Sequence, residues 1–526
     1  MNGGQRLIRT LVECGVDVCF ANPGTSEMHF VAALDDVPEM RAVLGLFEGV
    51  VTGAADGYGR MAGQPAATLL HLGPGLGNGI ANLHNARRAR TPMVNIVGDH
   101  AREHLRYDPP LTSDIESLAR PVSGWYRSTS APEAVAADTS DAVAAAWGPP
   151  GAVATLVLPA DVSWTEVGEE PTGRPPVTPA PVRSHAVGGD VVAEAGKALR
   201  SGEPAVILLG GRATRRRGLL AASRVAATTG AKLLCETFPA SLERGAGLPA
   251  VERLGYLAEF TEAQLAGARH LVLADAAAPV SFFAYPGRPG YLVPEGCEVH
   301  VLAGAGTADD GPRALEDLAE LLGAPPDGAV LQAAGRPARP TGVLTAEAAV
   351  AAIGALLPEG AVVSDEANTS GIFLPGATAG APVHDWLCLT GGAIGQGMPV
   401  ATGAAVACPG RRVLSLEADG SAMYTLQALW TQARESLDVT TVIFNNGSYA
   451  ILEMELGRVG AGEPGPRARS MLDLSRPDLD FAALARGMGV PATRATTADE
   501  FTAQLERALQ EEGPGVVEAV LARGGR

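Results

Sequence analysis

Short apolar runs rich in β-branched residues alternate along the chain with Ala-rich stretches of helical length. AATLLHL, MVNIVGD and VATLVLPAD lie in the first third, AVILLGG and HLVLAD in the middle, and AVVSDE, RVLSLEAD and VTTVIFNN in the last. Unbroken apolar strands separated by helices predict parallel sheets covered on both faces, with ligands at the carboxyl ends of the strands. Two proline-rich stretches interrupt the pattern. The first holds Pro171, Pro175, Pro176, Pro179 and Pro181; the second, APPDGAVLQAAGRPARPTG, runs from Ala324 to Gly342. Proline continues neither a central strand nor a helix. The pattern therefore predicts three α/β domains in series, 1–165, 185–325 and 341–526, each a doubly wound parallel sheet.

Composition narrows the classes. The 526 residues are 46% hydrophobic, which excludes disorder, and carry a net charge of −18, which argues against a nucleic-acid partner. Six cysteines with no CxxC pair argue against a zinc site or a disulfide scaffold and predict a reducing, cytoplasmic setting. The N-terminal MNGGQRLIRTLVECG has arginines where a signal peptide needs an apolar core. Residues 389–408 are uncharged over the length of a membrane span, but five glycines, Gln396 and Pro399 predict a loop followed by a buried helix.

A carboxylate and an amide define the strongest candidate chemistry. RVLSLEAD reads as a strand ending at Asp419, with Gly420, Ser421 and a helix, MYTLQALWTQARE, behind it. VTTVIFNN ends at Asn445 and Asn446, followed by Gly447 and Ser448, and Asn446 lies 27 residues after Asp419, the length of one βαβ unit. Neighbouring strand ends would then present hard oxygen ligands side by side, as Mg2+ prefers. The helix start at Gly420 and Ser421 would offer free N–H groups to a phosphate. Either half alone is ordinary turn sequence; the pair at this spacing points to a metal–diphosphate site.

In MRAVLGLFEGVVTGAADGYGRMAG, Glu48 stands between an apolar strand and the small, apolar start of a helix, so its burial is expected. His71 ends AATLLHL ahead of a Gly-rich turn, GPGLGNG, which it could simply cap. That turn lacks GxGxxG spacing and is followed by Arg87, Arg88 and Arg90 where an acid is required, which disfavours a nucleotide-dependent oxidoreductase. LLGGRATRRRG reads as a solvated basic loop in preference to a clasp for a flavin pyrophosphate.

With these segments in place, the chain resembles the thiamine diphosphate (ThDP) enzymes of the pyruvate-decarboxylase and acetolactate-synthase type. The resemblance covers nearly the whole chain and is weakest in the middle domain. ADGS followed by FNN is similar to the family's Gly-Asp-Gly…Asn-Asn motif, with Ala418 at the first glycine. The resemblance implies pyrimidine-binding, middle and diphosphate-binding domains in that order. It implies that Asp419, the Asn446 side chain and the Ser448 carbonyl ligate Mg2+. Asn368 and Thr369, in SDEANTSG, would lie near the diphosphate with Gly420 and Ser421. Glu48 matches the glutamate that hydrogen-bonds pyrimidine nitrogen N1′ and favours the tautomer that takes the C2 proton at close range. In TGGAIGQGMP, Ile394 matches the prop beneath the V-shaped cofactor, and the Gly392 carbonyl the acceptor for its 4′-amino group. Members of this family hold ThDP between the pyrimidine-binding domain of one subunit and the diphosphate-binding domain of another, which implies a homodimer or homotetramer.

The subtype clues conflict. FANPGTSEMHF is similar to the Asn-Pro-Gly-Ser-Asn-Glu motif of benzoylformate decarboxylase, with Thr25 at its active-site serine and His71 at its first catalytic histidine. Ala284, in APVSFFAYPGRPGYLVPEG, stands where the second histidine falls. With one proton donor fewer, the acyl carbanion equivalent should attack a second carbonyl. That favours an acetolactate synthase-like enzyme that decarboxylates a 2-oxo acid such as pyruvate and transfers the acyl unit to a carbonyl acceptor. Against this, Leu111 in DPPLTSD replaces the synthase's substrate-loop glutamine and makes an apolar wall with Pro110, and no firm flavin signature is present, so FAD stays open. These features suit a benzoylformate decarboxylase-like enzyme. A non-catalytic ThDP-binding paralogue is a third reading, disfavoured because such a protein has no need of Glu48.

Overall fold

Every predicted apolar run forms a strand with most of its residues buried in the computed structural model. The structure describes residues 1–168 and 184–522, and the proline cluster beginning at Pro171 lies outside the described residues. In spatial order, the first sheet is Arg41–Leu44, Val18–Asn22, Ala66–Leu70, Met93–Asp99, Val153–Pro159 and Trp125–Ser128, all parallel. The second is Glu252–Arg253, Lys232–Cys235, Ala205–Leu209, His270–Ala276 and Glu298–Gly304, again parallel. The third is Ala492–Ala495, Gly515–Val520, Val439–Asn445, Val413–Ala418, Val362–Glu366 and His384–Cys388, closed by Leu242–Arg244.

Leu242–Arg244 departs from the expectation of purely parallel sheets. It leaves the middle segment and pairs antiparallel with the edge of the third sheet, Leu242 opposite Trp386. A row of unpaired backbone groups on an edge strand invites other chains, and this short strand occupies it.

Chain order reverses between Val18–Asn22 and Ala66–Leu70 in the first sheet, and between Val362–Glu366 and Val413–Ala418 in the third. Loops leaving adjacent strands in opposite directions open a crevice at such a point, where ligands of α/β sheets bind.

One helix pair joins the two sheets. Helix Glu48–Ala62 ends at Gly63, whose φ of 68° supplies the left-handed cap. It crosses helix Gly397–Ala407, buried around its circumference, which is the helix expected within uncharged residues 389–408. Among the described residues no helix is long and apolar enough to cross a membrane. A Cβ on Gly403 would lie 1.7 Å from the Ala54 carbonyl oxygen, and one on Gly57 2.0 Å from that of Val400. The two backbones therefore touch, which fixes their register. Fully buried Asp56 adds a polar lock, accepting from Arg60 Nε at 2.9 Å and from Gln396 Nε2 at 2.8 Å.

Two local readings are corrected. GPGLGNG is the start of helix Leu72–Ala89 and not a turn. Its glycines make room for neighbours: a Cβ on Gly73 would lie 2.2 Å from Ser113, and one on Gly79 2.9 Å from Thr52. Packing overrides glycine's poor helix propensity. The single helix expected over MYTLQALWTQARE is split into Asp419–Ala422 and Ala428–Arg434, and between them Thr425 Oγ donates to the Gly395 carbonyl at 3.0 Å.

Candidate active site

At the first reversal, Asn22 pairs in register with Leu70, so the loops Pro23–Glu27 and His71–Leu72 leave the sheet side by side. His71 Nδ1 lies 2.8 Å from Glu27 Oε2, and the Gly24 amide donates to the same oxygen at 2.8 Å. Gly24 admits no side chain, since a Cβ would fall 2.2 Å from His71 Nδ1. Glu27 is 2% exposed, and burial pushes its carboxyl above the ordinary range, partly offset by His71 and the Gly24 amide. With the tautomer assigned from this partner, His71 donates Nδ1–H to Glu27, which leaves Nε2 as the unprotonated nitrogen. Buried Leu72 behind it is left-handed at φ 51°, a strain of about 1–3 kcal/mol that the packing maintains. Thr25 is exposed at the start of the one-turn helix Thr25–Glu27. The sequence reading gave Glu27 no role: its partner is 44 residues away and only the fold joins them.

Glu48 opens helix Glu48–Ala62 with 7% exposure, as expected. Its Oε2 accepts from Asn78 Nδ2 at 3.0 Å, and its Oε1 lies 3.1 Å from where a Gly75 Cβ would stand. Asn78 is a second residue that the sequence reading passed over.

The candidate oxygen ligands lie at and beside the second reversal. Ala418 pairs with Phe444, so Asp419 and Asn446 follow adjacent strand ends. Asp419 is 2% exposed; its Oδ2 accepts from the amides of Asn446 at 3.1 Å and Gly447 at 2.7 Å. Asn446 Oδ1 accepts from the Ser448 amide at 2.8 Å, and Asn368 Nδ2 donates to buried Ser421 Oγ at 2.9 Å. Thr369 sits beside Asn368 in the one-turn helix Asn368–Gly371. Ala418 has φ −76°, so alanine meets no backbone conflict at the family's first glycine. One expectation is corrected here. The Gly420 amide is not free for a phosphate but donates to Asp419 Oδ1 at 2.8 Å, and the helix it opens is a single turn. Carboxylate, amide and backbone carbonyl together form a hard, all-oxygen donor set, and these residues fit Mg2+.

Gly392, at φ 75°, and half-buried Ile394 lie in the loop before helix Gly397–Ala407. Asn82 Nδ2 donates to Gly49 O at 2.7 Å and Gly395 O at 3.1 Å, tying this loop to the first turn of the Glu48 helix. Asn85 Nδ2 donates to Ala393 O at 2.8 Å, and His84 Nε2 lies 3.1 Å from Gly391 O. Among the described residues no hydrogen bond joins Glu48 directly to the Asp419 group.

The middle sheet carries LLGGRATRRRG, which the sequence reads as a solvated basic loop in preference to a clasp for a flavin pyrophosphate. Its arginines are engaged: Arg215 Nη1 donates to Asp385 at 2.7 Å and Arg217 Nε to Glu316 at 2.6 Å. At the carboxyl ends of its strands, a Cβ on Gly210 would lie 2.6 Å from the Glu236 carboxyl, and one on Gly306 3.0 Å from the Arg90 guanidinium. Asp275 is buried beside them at φ 55°. Two carboxyls and a guanidinium of the chain itself line this crevice beside the Gly210–Gly211 turn. Burial pushes Glu236 up to about 7, offset in part by Arg90. An unfolded glutamate releases its proton near 4.5 and this one only near 7, so stability falls as pH rises between those values. Glu236→Gln should therefore flatten the pH dependence of the melting temperature and stabilise the protein at pH 8 by about 2 kcal/mol, discounted for partial exposure. Parallel melting curves across this range would remove the assignment.

Residues 1–118 match the thiamine pyrophosphate enzyme N-terminal TPP-binding domain, and residues 380–519 the corresponding C-terminal TPP-binding domain. The chain is 61% identical over 522 residues, 99% of each protein, to a Mycobacterium tuberculosis protein named "Putative acetolactate synthase large subunit IlvX". It is 30% identical over 529 residues, 96% of each, to the benzoylformate decarboxylase of Pseudomonas aeruginosa. The structure of a Rhodococcus jostii RHA1 thiamine diphosphate-dependent 4-hydroxybenzoylformate decarboxylase superposes with a TM-score of 0.86 at 25% identity, covering 100% of both chains. The two crevices thus sit in the two domains by which these proteins take up their cofactor, and the chain belongs to the thiamine pyrophosphate (ThDP) enzyme family.

Proposed function

We propose that the enzyme decarboxylates a 2-oxo acid and passes the acyl unit to a carbonyl acceptor, with ThDP and Mg2+ held between two copies of the chain. When bound, ThDP supplies a nucleophilic thiazolium carbon and a sink for the electrons left by departing CO2. Glu48 would hold the pyrimidine N1′, and Gly392 and Ile394 would fix the angle between the rings. Asp419, Asn446 and the Ser448 carbonyl would hold Mg2+, with Asn368, Thr369 and Ser421 around the diphosphate. Thr25 and His71 would face the substrate, with Glu27 stabilising the imidazolium whenever His71 takes a proton.

The observation carrying this reading is the contrast between the His71–Glu27 pair and Ala284, an exposed residue with no proton to give. Protonation of the acyl unit then rests on His71, and transfer to a second carbonyl competes with aldehyde release.

A second reading, aldehyde release from a bulky 2-oxo acid, draws on apolar side chains. Leu111 is 38% exposed, and Phe282 and Phe283, exposed by 43% and 58%, flank Ala284. Tyr285 of the same loop donates to Glu455 Oε2 at 2.9 Å, on helix Ala450–Arg458 that follows Ser448. The loop is thereby anchored to that helix of the third domain.

Protein reconstituted with ThDP and Mg2+ should be given pyruvate, 2-oxobutyrate and benzoylformate separately, with CO2 and the carbon products identified. Acetolactate from pyruvate is the expected result, and benzaldehyde from benzoylformate would favour the second reading. Bound cofactor with no product from any of the three would point instead to a non-catalytic ThDP-binding paralogue or to a 2-oxo acid outside this set.

A further inference from the structure

A cluster of histidines and acids lies at the amino ends of the middle strands, on the opposite edge of that sheet from Gly210 and Asp275. His270 begins strand His270–Ala276, and Glu298 and His300 lie on strand Glu298–Gly304. His270 pairs in register with Glu298 and Val272 with His300. Because side chains alternate across a strand, all three project from one face.

His270 Nδ1 lies 3.1 Å from His300 Nε2 and 3.8 Å from Glu298 Oε2, while His300 Nε2 lies 3.9 Å from Glu298 Oε2. A triangle with these sides has a point about 2.1 Å from all three atoms, which is the Zn–N and Zn–O bond length. Glu298 is the exposed member, and closing it by about half an ångström lifts that point out of the plane toward an open fourth position, as tetrahedral zinc requires.

The orientation of His270 supplies an independent reason. Its Nε2 lies 3.1 Å from Glu203 Oε2, just before strand Ala205–Leu209. A carboxylate accepting one imidazole N–H fixes the tautomer and aims the other nitrogen's lone pair at a metal. Here that lone pair is on Nδ1, which accepts a hydrogen bond from His300 Nε2–H, the proton that a bound ion would replace. His270 is 7% exposed, so the geometry is held by packing.

We propose that His270, Glu298 and His300 form a zinc-type transition-metal site, completed by water and oriented by Glu203. The imidazole–carboxylate set suits Zn2+ or Co2+ and not Mg2+. The ion would clamp the amino ends of neighbouring strands Ala205–Leu209, His270–Ala276 and Glu298–Gly304 without entering the ThDP reaction.

The test uses untagged full-length enzyme, cleared of metal with chelator, reloaded with Mg2+ and ThDP, and titrated with Co2+. Four-coordinate cobalt absorbs strongly in the visible, whereas six-coordinate cobalt at an all-oxygen site absorbs weakly. One equivalent per chain should give the strong bands, and added Zn2+ should erase them. His300→Gln and His270→Gln should lose the bands while keeping ThDP-dependent turnover, and Glu203→Gln should weaken Co2+ binding by about 10- to 100-fold. No strong bands in the parent enzyme, or bands that survive His300→Gln, would overturn the proposal. Circular dichroism spectra of the variants matching the parent exclude misfolding as the cause of any loss.

Discussion

Replacing Glu48 by glutamine is expected to leave ThDP bound while exchange of its C2 proton slows by about 10²- to 10⁴-fold, the range of a positioned acid–base group. Glutamine preserves the shape of a side chain that is 7% exposed, and its amide oxygen can still accept from Asn78 Nδ2. What it loses is the basicity that draws a proton toward pyrimidine N1′. On the proposed function, affinity would be carried instead by the oxygen ligands near Asp419, in the other crevice. Acid-quenched deuterium exchange followed by proton resonance, beside calorimetric titration of ThDP, separates the two effects. Exchange at the parent rate would take Glu48 out of the mechanism.

Asp419→Asn should do the reverse and abolish cofactor uptake. Loss of the proposed charged Mg2+ ligand should weaken ThDP binding by at least about 100-fold, since outer-shell partners alone are worth about 10- to 100-fold. An amide nitrogen in place of Oδ2 would also face the donors Asn446 N and Gly447 N, leaving amides unpaired at about 1–3 kcal/mol. The melting temperature without cofactor should fall modestly, and added ThDP and Mg2+ should no longer raise it as they raise the parent's. A variant that keeps parental affinity would remove Asp419 from the metal site.

The strands were legible because buried parallel strands must be continuously apolar, so AATLLHL, HLVLAD and VTTVIFNN stood out. The carboxylate–amide pair was legible because one βαβ unit fixes the distance between successive strand ends. Pairs from unrelated loops were not. Nothing local marks Glu27 as the partner of His71, or His270 as a neighbour of His300, and the absence of a CxxC pair says nothing of histidines on adjacent strands. Glycine misled in GPGLGNG because its propensity speaks for a turn, while its missing side chain serves helix packing against Ser113 and Thr52. Leu242–Arg244 escaped because three residues with two charges carry no strand signal.

That three-residue strand also decides where the polypeptide can be cut. An engineered deletion of the middle third, made to obtain a minimal two-lobed catalyst, would strip the flank of His384–Cys388, five buried residues whose outward amides and carbonyls would then be open to other molecules. Such a truncation should form intermolecular sheet and precipitate, and only a version that grafts 242–244 back along Trp386 has its border sealed.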